Sequence, residues 1–230
     1  MGLVFGKQTV AEPAYEVLAK HSGALSYEIR KYGTRYAAEV SYMDTSGADD
    51  ADRSPFSILA KYIGVFGTPE NEGQQPMAMT APVVKGKGGE PVKMTMTAPV
   101  VKERGNDGNG DEKTMAFILP EEFNSMDKIP KPTNPKVHIK ELAPEVGAVY
   151  QYSGSYDDQI NDQKALEFAK QLRTDGLETM TDDFVLEHYQ FWGYNPPFTL
   201  PMFRRNEIWV GLSEEQAKQI VSGVDTASAN

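Results

Sequence analysis

The hydrophobic periods of this chain run through one order of elements twice: strand, strand, helix, strand, strand. In the first half, Ser26–Tyr32 (SYEIRKY) and Tyr36–Tyr42 (YAAEVSY) alternate apolar and polar residues and read as paired strands around a turn at Gly33. After the acidic loop Asp44–Asp52, Ser54 reads as a helix cap with Pro55 at the first helical position. The helix, Pro55–Gly64, carries Phe56, Leu59, Ala60 and Ile63 on one face. A glycine-rich hairpin and a short strand, Thr114–Leu119, complete this half. The second half offers strands at Lys136–Leu142 and Gly147–Tyr152, a helix at Asp158–Leu172, and strands at Asp183–Tyr189 and Asn206–Leu212. Such a duplication predicts two sheets packed or curled together with the helices outside.

The hairpin is marked by a repeat, because MTAPVV occurs at Met79–Val84 and again at Met96–Val101. KGKGGE lies between the copies, and its glycines reach positive φ without a Cβ clash. Pro82 and Pro99 have no N–H to give a ladder, so each belongs at an edge, a bulge or a strand end. Methionine, threonine and valine are poor material for a catalytic motif. They suit either a core or an adaptable apolar binding surface.

Composition removes several classes of function. A formal net charge of −10 argues against nucleic acid, which demands clustered cations. No apolar run approaches the ~20 residues that span a bilayer, so no membrane insertion is expected. Zero cysteines exclude disulfides, thiolate metal sites and a cysteine nucleophile. The segment MGLVFGKQTVAEP lacks the basic start and apolar core of a signal peptide, consistent with a cytoplasmic protein. Gly2 meets one requirement of N-myristoylation, but Gly6 stands where Ser or Thr is wanted. There is no G-x-S-x-G, no P-loop, and no pair of histidines at metal-ligand spacing, so neither catalytic nor metal residues are assigned. The glycines of Gly105–Gly110 sit among acids and read as a flexible loop within Glu103–Lys113.

A set of ordered segments spans the chain from Met1 to about Leu212: MGLVFGK, YEIRKYGTRYAAEV, LAKYIGVFGTPEN, the paired MTAPVV, IPKPTNPKV, the YSG of Tyr152–Gly154, and GYNPPFTLPMFRRNEIW. Together they resemble the SOUL/heme-binding protein family, most closely its plant and algal cytosolic branch. The resemblance implies an α+β fold. That fold is a distorted antiparallel β-barrel of two pseudo-symmetric β-β-α-β-β halves with helices packed outside, similar to the effector-binding domains of bacterial regulators. It implies one domain over residues 1–230, with a core of about 13–212. It also implies reversible binding of heme and related tetrapyrroles such as protoporphyrin by an intracellular carrier or buffer, with no enzymatic activity. A protein of tetrapyrrole metabolism would be a partner.

Carried over residue by residue, the family's heme contacts fall on the first helix. The basic residue near its start is Arg53, the later lysine is Lys61, and the apolar contacts between them are Phe56, Leu59 and Ala60. A flat macrocycle wants an apolar shelf and its propionates want cations at the rim. Burying roughly 400 Å² at ~25 cal/mol/Å² gives about 10 kcal/mol before association costs, which suffices without an iron ligand. Read from the residues alone, Phe56, Leu59 and Ile63 are equally the helix's core face. Two family positions differ here. Lys31 replaces the axial histidine of some animal members, and Thr199 replaces a basic residue before the RRNE motif.

Other residues have competing readings. Glu207, near Tyr194, Phe198 and Trp209, is either an acid/base group of a hydrolase on the same barrel or a carboxylate paired with Arg204 or Arg205. The Tyr194–Pro201 aromatic and proline loop is alternatively a docking segment of an interaction module. His138, between Lys136 and Lys140, faces solvent; His21 lies in a loop; His188 shares a strand face with Phe184 and Leu186 and is buried.

Overall fold

A computed structural model describes residues 11–43, 53–87, 112–195 and 199–228. The second MTAPVV copy at 96–101, the loop 44–52 and most of 103–113 lie outside them. The elements in order are β1 (Tyr15–His21), β2 (Tyr27–Tyr32), β3 (Arg35–Met43), α1 (Arg53–Ile63), β4 (Val83–Lys87) and β5 (Glu112–Ile118). There follow β6 (His138–Leu142), β7 (Glu145–Tyr152), α2 (Asp158–Thr174), α3 (Asp182–His188), β8 (Gln190–Gly193), β9 (Asn206–Leu212) and α4 (Glu214–Ser228). Pro82 immediately precedes β4, a strand end as expected.

The strands form one sheet in the order β1-β2-β7-β9-β8-β4-β5-β3-β6, antiparallel at every pairing. With β1 set aside, exchanging the halves and reversing the list returns the same order. The pseudo-two-fold seam is the β4–β8 pair, and each half lends its first strand to the far side of the other half. Strands β2 and β3 stand second and eighth in that order, yet only Gly33 and Thr34 join them. A flat sheet would separate them by about 29 Å, while three Cα steps reach about 11 Å. The sheet therefore curls into a half-barrel. The expected α+β class and two-half architecture are both present.

The pairing differs from the sequence reading, because β2 pairs with β1 and β7, and β3 with β5 and β6. Alternation identifies a strand but not its partner, and β1 already occupies the hairpin position beside β2. The segment read as a strand at 183–189 is mostly α3. Thr181 caps it by accepting from the Phe184 N–H at 3.2 Å, and Asp182 and Asp183 complement its N-terminal dipole. Glu112 and Lys113 belong to β5 rather than to the preceding flexible loop.

Helix α1 ends at Gly64, whose φ of +90° is cheap only for glycine. Val65 N–H donates to Ala60 O at 2.9 Å and Gly64 N–H to Lys61 O at 3.1 Å, a Schellman cap. Helix α2 ends the same way at Gly176, with Leu177 N–H on Leu172 O at 2.9 Å. The two halves thus share their helix termination as well as their strand order.

All four helices pack on one face of the sheet. Leu59 and Ile63 of α1 join Ala38, Val40, Met115 and Phe117 in one core. Phe168 and Leu172 of α2, Val185 of α3 and Ile220 of α4 pack on Ile29 and Ile208 in the other. The opposite face holds Tyr32, Trp192, Tyr194 and Trp209. Gly147 permits the Trp209 ring to lie flat there: a Cβ at this position would stand 2.4 Å from Trp209 Cε2.

Candidate functional site: the groove along α1 and the pseudo-two-fold seam

The five residues of the expected helix site do not share one exposure. Leu59 and Ala60 are 0% exposed and belong to the core beneath α1. Phe56 is half-buried and sits edge-on against Phe117, ring centroids 5.3 Å apart. Lys61 is exposed on the outer side of the helix, and Arg53 opens it with its side chain outside the described residues. Ile63 points inward at 3% exposure.

The sheet register extends this shelf. On the face that carries the helices, Phe117, Val83 and Gly193 lie side by side across β5, β4 and β8. Met115, Lys85 and Phe191 form the neighbouring row, one side-chain step (~7 Å) along the strands. Val83, Lys85 and Gly193 are half-buried, so the seam between the helical layers is partly open. Phe56 stands on one side through its contact with Phe117. On the other, Tyr156 packs on Phe191 with centroids 5.0 Å apart.

Cations meet at that second wall. Lys85 Nζ lies 5.8 Å from the Tyr156 ring centroid and Arg204 Cζ 5.1 Å from the same ring. Arg204 Nε donates to the Thr199 carbonyl at 2.8 Å, which fixes the guanidinium against the β8–β9 loop. Thr199 itself is 1% exposed, a buried anchor for that guanidinium. Leu200, Met202 and Phe203 form an exposed apolar lip on this loop, and Gly154 N–H on Pro201 O at 2.9 Å ties it to the segment before Tyr156. Sequence reasoning missed Lys85 and Tyr156. The one available signal was the period-2 step from Val83 to Lys85 at the end of the first MTAPVV copy.

Glu207 is elsewhere. Alternation along β9 puts it on the face opposite Ile208 and hence opposite the groove. It is 0% exposed and accepts from Arg30 Nη1 at 2.9 Å, Arg205 Nε at 2.9 Å and Tyr194 Oη at 2.8 Å. Burial and the adjacent carboxylate push the Tyr194 phenol well above the usual tyrosine range, so it stays a donor. Burial alone would lower the Arg30 guanidinium, but the Glu207 charge outweighs it and holds Arg30 above its ordinary value. This is the paired arrangement, with Arg205 and Arg30 as partners.

The histidines are structural in their contacts. His138 is exposed, as expected. His21 ends β1 rather than lying in a loop; its ring stacks on Tyr27 at 4.7 Å and Nε2 is 3.3 Å from Asp175. His188 closes α3 half-buried, with Nδ1 2.8 Å from Phe184 O. Among the described residues no group of His, Asp or Glu could hold a metal ion, and no helix is long and apolar enough to cross a membrane. A separate cleft of about 290 Å³ beyond α1, lined by Glu72, Asp127, Lys128 and Lys131 among others, is polar and unsuited to a flat apolar ligand.

The architecture is a curled, duplicated sheet with helices on one face and a half-buried seam between its halves. The chain belongs to the SOUL heme-binding protein family, whose model matches residues 10–211. It is similar to human heme-binding protein 2, with 29% identity over 194 residues covering 84% of this chain and 82% of that one. Among solved structures, the EcmrR C-terminal domain shares the fold, at a TM-score of 0.52 and 9% identity over 83% of this chain and 99% of the other. A hydrolase from Listeria innocua aligns over 81% of this chain and 91% of its own at 12% identity, with a TM-score of only 0.46.

Proposed function

We infer that this protein binds heme and related tetrapyrroles, protoporphyrin among them, reversibly in the groove along α1 and the β4–β8 seam. It acts as a cytoplasmic carrier or buffer, exchanging its ligand with a protein of tetrapyrrole metabolism, rather than as an enzyme. The observation that carries this reading is the position of Phe56. It is half-buried on Phe117, beside Val83 and Gly193, in a chain that matches a heme-binding family over nearly its whole length. Phe56 offers a ring face at the groove wall and Val83 and Gly193 a low floor; Lys61 and Arg53 are the cations that the family resemblance assigns to the rim. Leu59 and Ala60 support the shelf from beneath, and a ligand would touch them only if the helix shifted.

Aspartate at position 56 puts a charge where the macrocycle lies. Phe56→Asp weakens hemin binding at least tenfold in a protein that still melts cooperatively. Arg53→Ala and Lys61→Ala each cost less, because rim charges remain partly solvated. Unchanged hemin affinity in folded Phe56→Asp would move the site away from α1.

A further inference from the structure

One row beyond Lys85 and Phe191, the two halves of the molecule meet above the seam. Lys113 alternates with Met115 and Phe117 on β5, so it rises on the helical face one further side-chain step (~7 Å) along the strand. Its ammonium pairs with the Asp158 carboxylate in the first turn of α2. Strand β5 belongs to the first half and α2 to the second, and β4 and β8 lie between β5 and the β9 strand on which α2 packs. The ion pair therefore passes over the β4–β8 seam at one end of the groove. Capping does not engage Asp158, because Asp157 is the cap and accepts from the Ile160 N–H at 2.7 Å. Asp158 is exposed and Lys113 half-buried. A pair of that kind is weak and salt-sensitive, a poor brace but one that opens readily.

We propose that Lys113 and Asp158 form a strap across the pseudo-two-fold seam, which closes one end of the groove and must open for the tetrapyrrole to enter or leave. The proposal rests on the binding reading above and adds how the site exchanges its ligand. Shut, the strap stops a bound macrocycle from sliding out along the strands past Lys85 and Phe191. Open, it leaves that end of the groove clear. The pair stands beyond the shelf of Phe56, Val83 and Gly193 rather than on it, in the empty and the loaded protein alike. A gate so placed changes entry and exit by the same factor, so it sets exchange rates and leaves the dissociation constant unchanged.

The test measures hemin titration, hemin release into excess apomyoglobin and a melting curve for each protein. Asp158→Asn and Lys113→Gln each speed release about threefold, the scale of one exposed ion pair, and leave the dissociation constant within about twofold of the parent. The charge-swapped double variant, Lys113→Asp with Asp158→Lys, returns release to the parent rate, and added salt speeds release from the parent more than from either single variant. Because the chain has no cysteine, Lys113→Cys with Asp158→Cys can be bridged by a short bis-maleimide at those two positions alone. The bridged form releases hemin roughly tenfold or more slowly than the same variant with each thiol capped singly. Bridged and capped forms that bind hemin and release it within about twofold of each other overturn the strap and leave the carrier reading intact. Failure of the reagent to bridge the two positions overturns the strap as well. A parent that binds no hemin overturns both.

Discussion

Glu207 and Arg30 are separated by 177 positions in the chain and by 2.9 Å in the fold, on a face of the sheet where Glu207 is 0% exposed. This contact joins the last strand of the second half to the first-half strand lent to it. Glu207→Gln removes the charge that faces both Arg30 and Arg205 and leaves two guanidinium groups without it. The expected cost is about 3–5 kcal/mol of stability, read from denaturant unfolding. Hemin affinity of the folded fraction stays within about threefold, since the groove is on the other face. Loss of hemin binding in a variant of undiminished stability would make Glu207 part of the ligand site.

Glu28 contributes to the acid limb of stability. Burial pushes its carboxyl up, but hydrogen bonds and charge from Lys20 and Arg30 outweigh burial and hold it below the usual glutamate range. A depressed folded value means that its stabilisation is complete above the unfolded value and is lost as pH falls through the folded one. Glu28→Gln therefore lowers the melting temperature at pH 7, and the gap between variant and parent closes below about pH 4. A gap that widens in acid would contradict this pairing.

Tyrosines set the alkaline limb. Burial pushes the Tyr32 phenol up to about 12, with Arg30 and Arg35 opposing it. Burial leads again for Tyr27, Tyr62, Tyr152, Tyr189 and Tyr194, all held further above the usual range. Raised folded values give stability that is full below the unfolded value near 10 and lost as pH rises beyond it. At pH 11 these six of eleven tyrosines remain protonated in the folded protein. Phenolate absorbance there falls well short of the denatured total and rises to it only as structure is lost. Full phenolate absorbance with an intact fold would contradict the described packing.

Much of this fold was legible because a buried face enforces alternation. The strands β2, β3, β5, β7 and β9 were visible for that reason, as were α1 and α2. Strand β1 was not, because as an edge strand it exposes Tyr15 and Val17 and carries a register shift between Val17 and Ala19. Helix α4 was overlooked although its start is written in Ser213 to Gln216: Gln216 N–H donates to Ser213 Oγ at 3.2 Å and Ser213 N–H to Gln216 Oε1 at 2.8 Å. In α3 the alternation of Phe184, Leu186 and His188 masked the Thr181 cap. The helix residues of the proposed site were nameable only through the family resemblance. The Lys85–Tyr156–Arg204 arrangement was not, because it exists only in the register of β4 against β8.

Histidine replacement separates iron ligation from packing. His21→Ala, His138→Ala and His188→Ala each leave hemin affinity within a few-fold, since the described contacts of His21 and His188 tie them to Asp175, Tyr27 and Phe184 and His138 faces solvent. His188→Ala lowers the melting temperature by emptying a half-buried site. A His188→Ala protein with unchanged melting and altered iron spectra would establish axial ligation.

The central claim, that an apolar groove rather than an iron ligand holds the tetrapyrrole, is tested most directly by titrating the parent protein with hemin and with metal-free protoporphyrin under one set of conditions. The account predicts that both bind, with dissociation constants within about tenfold of one another, or ~1.4 kcal/mol. Binding of hemin alone would contradict it by showing that the iron supplies the decisive contact, and release of a modified product from bound hemin would replace the carrier with an enzyme.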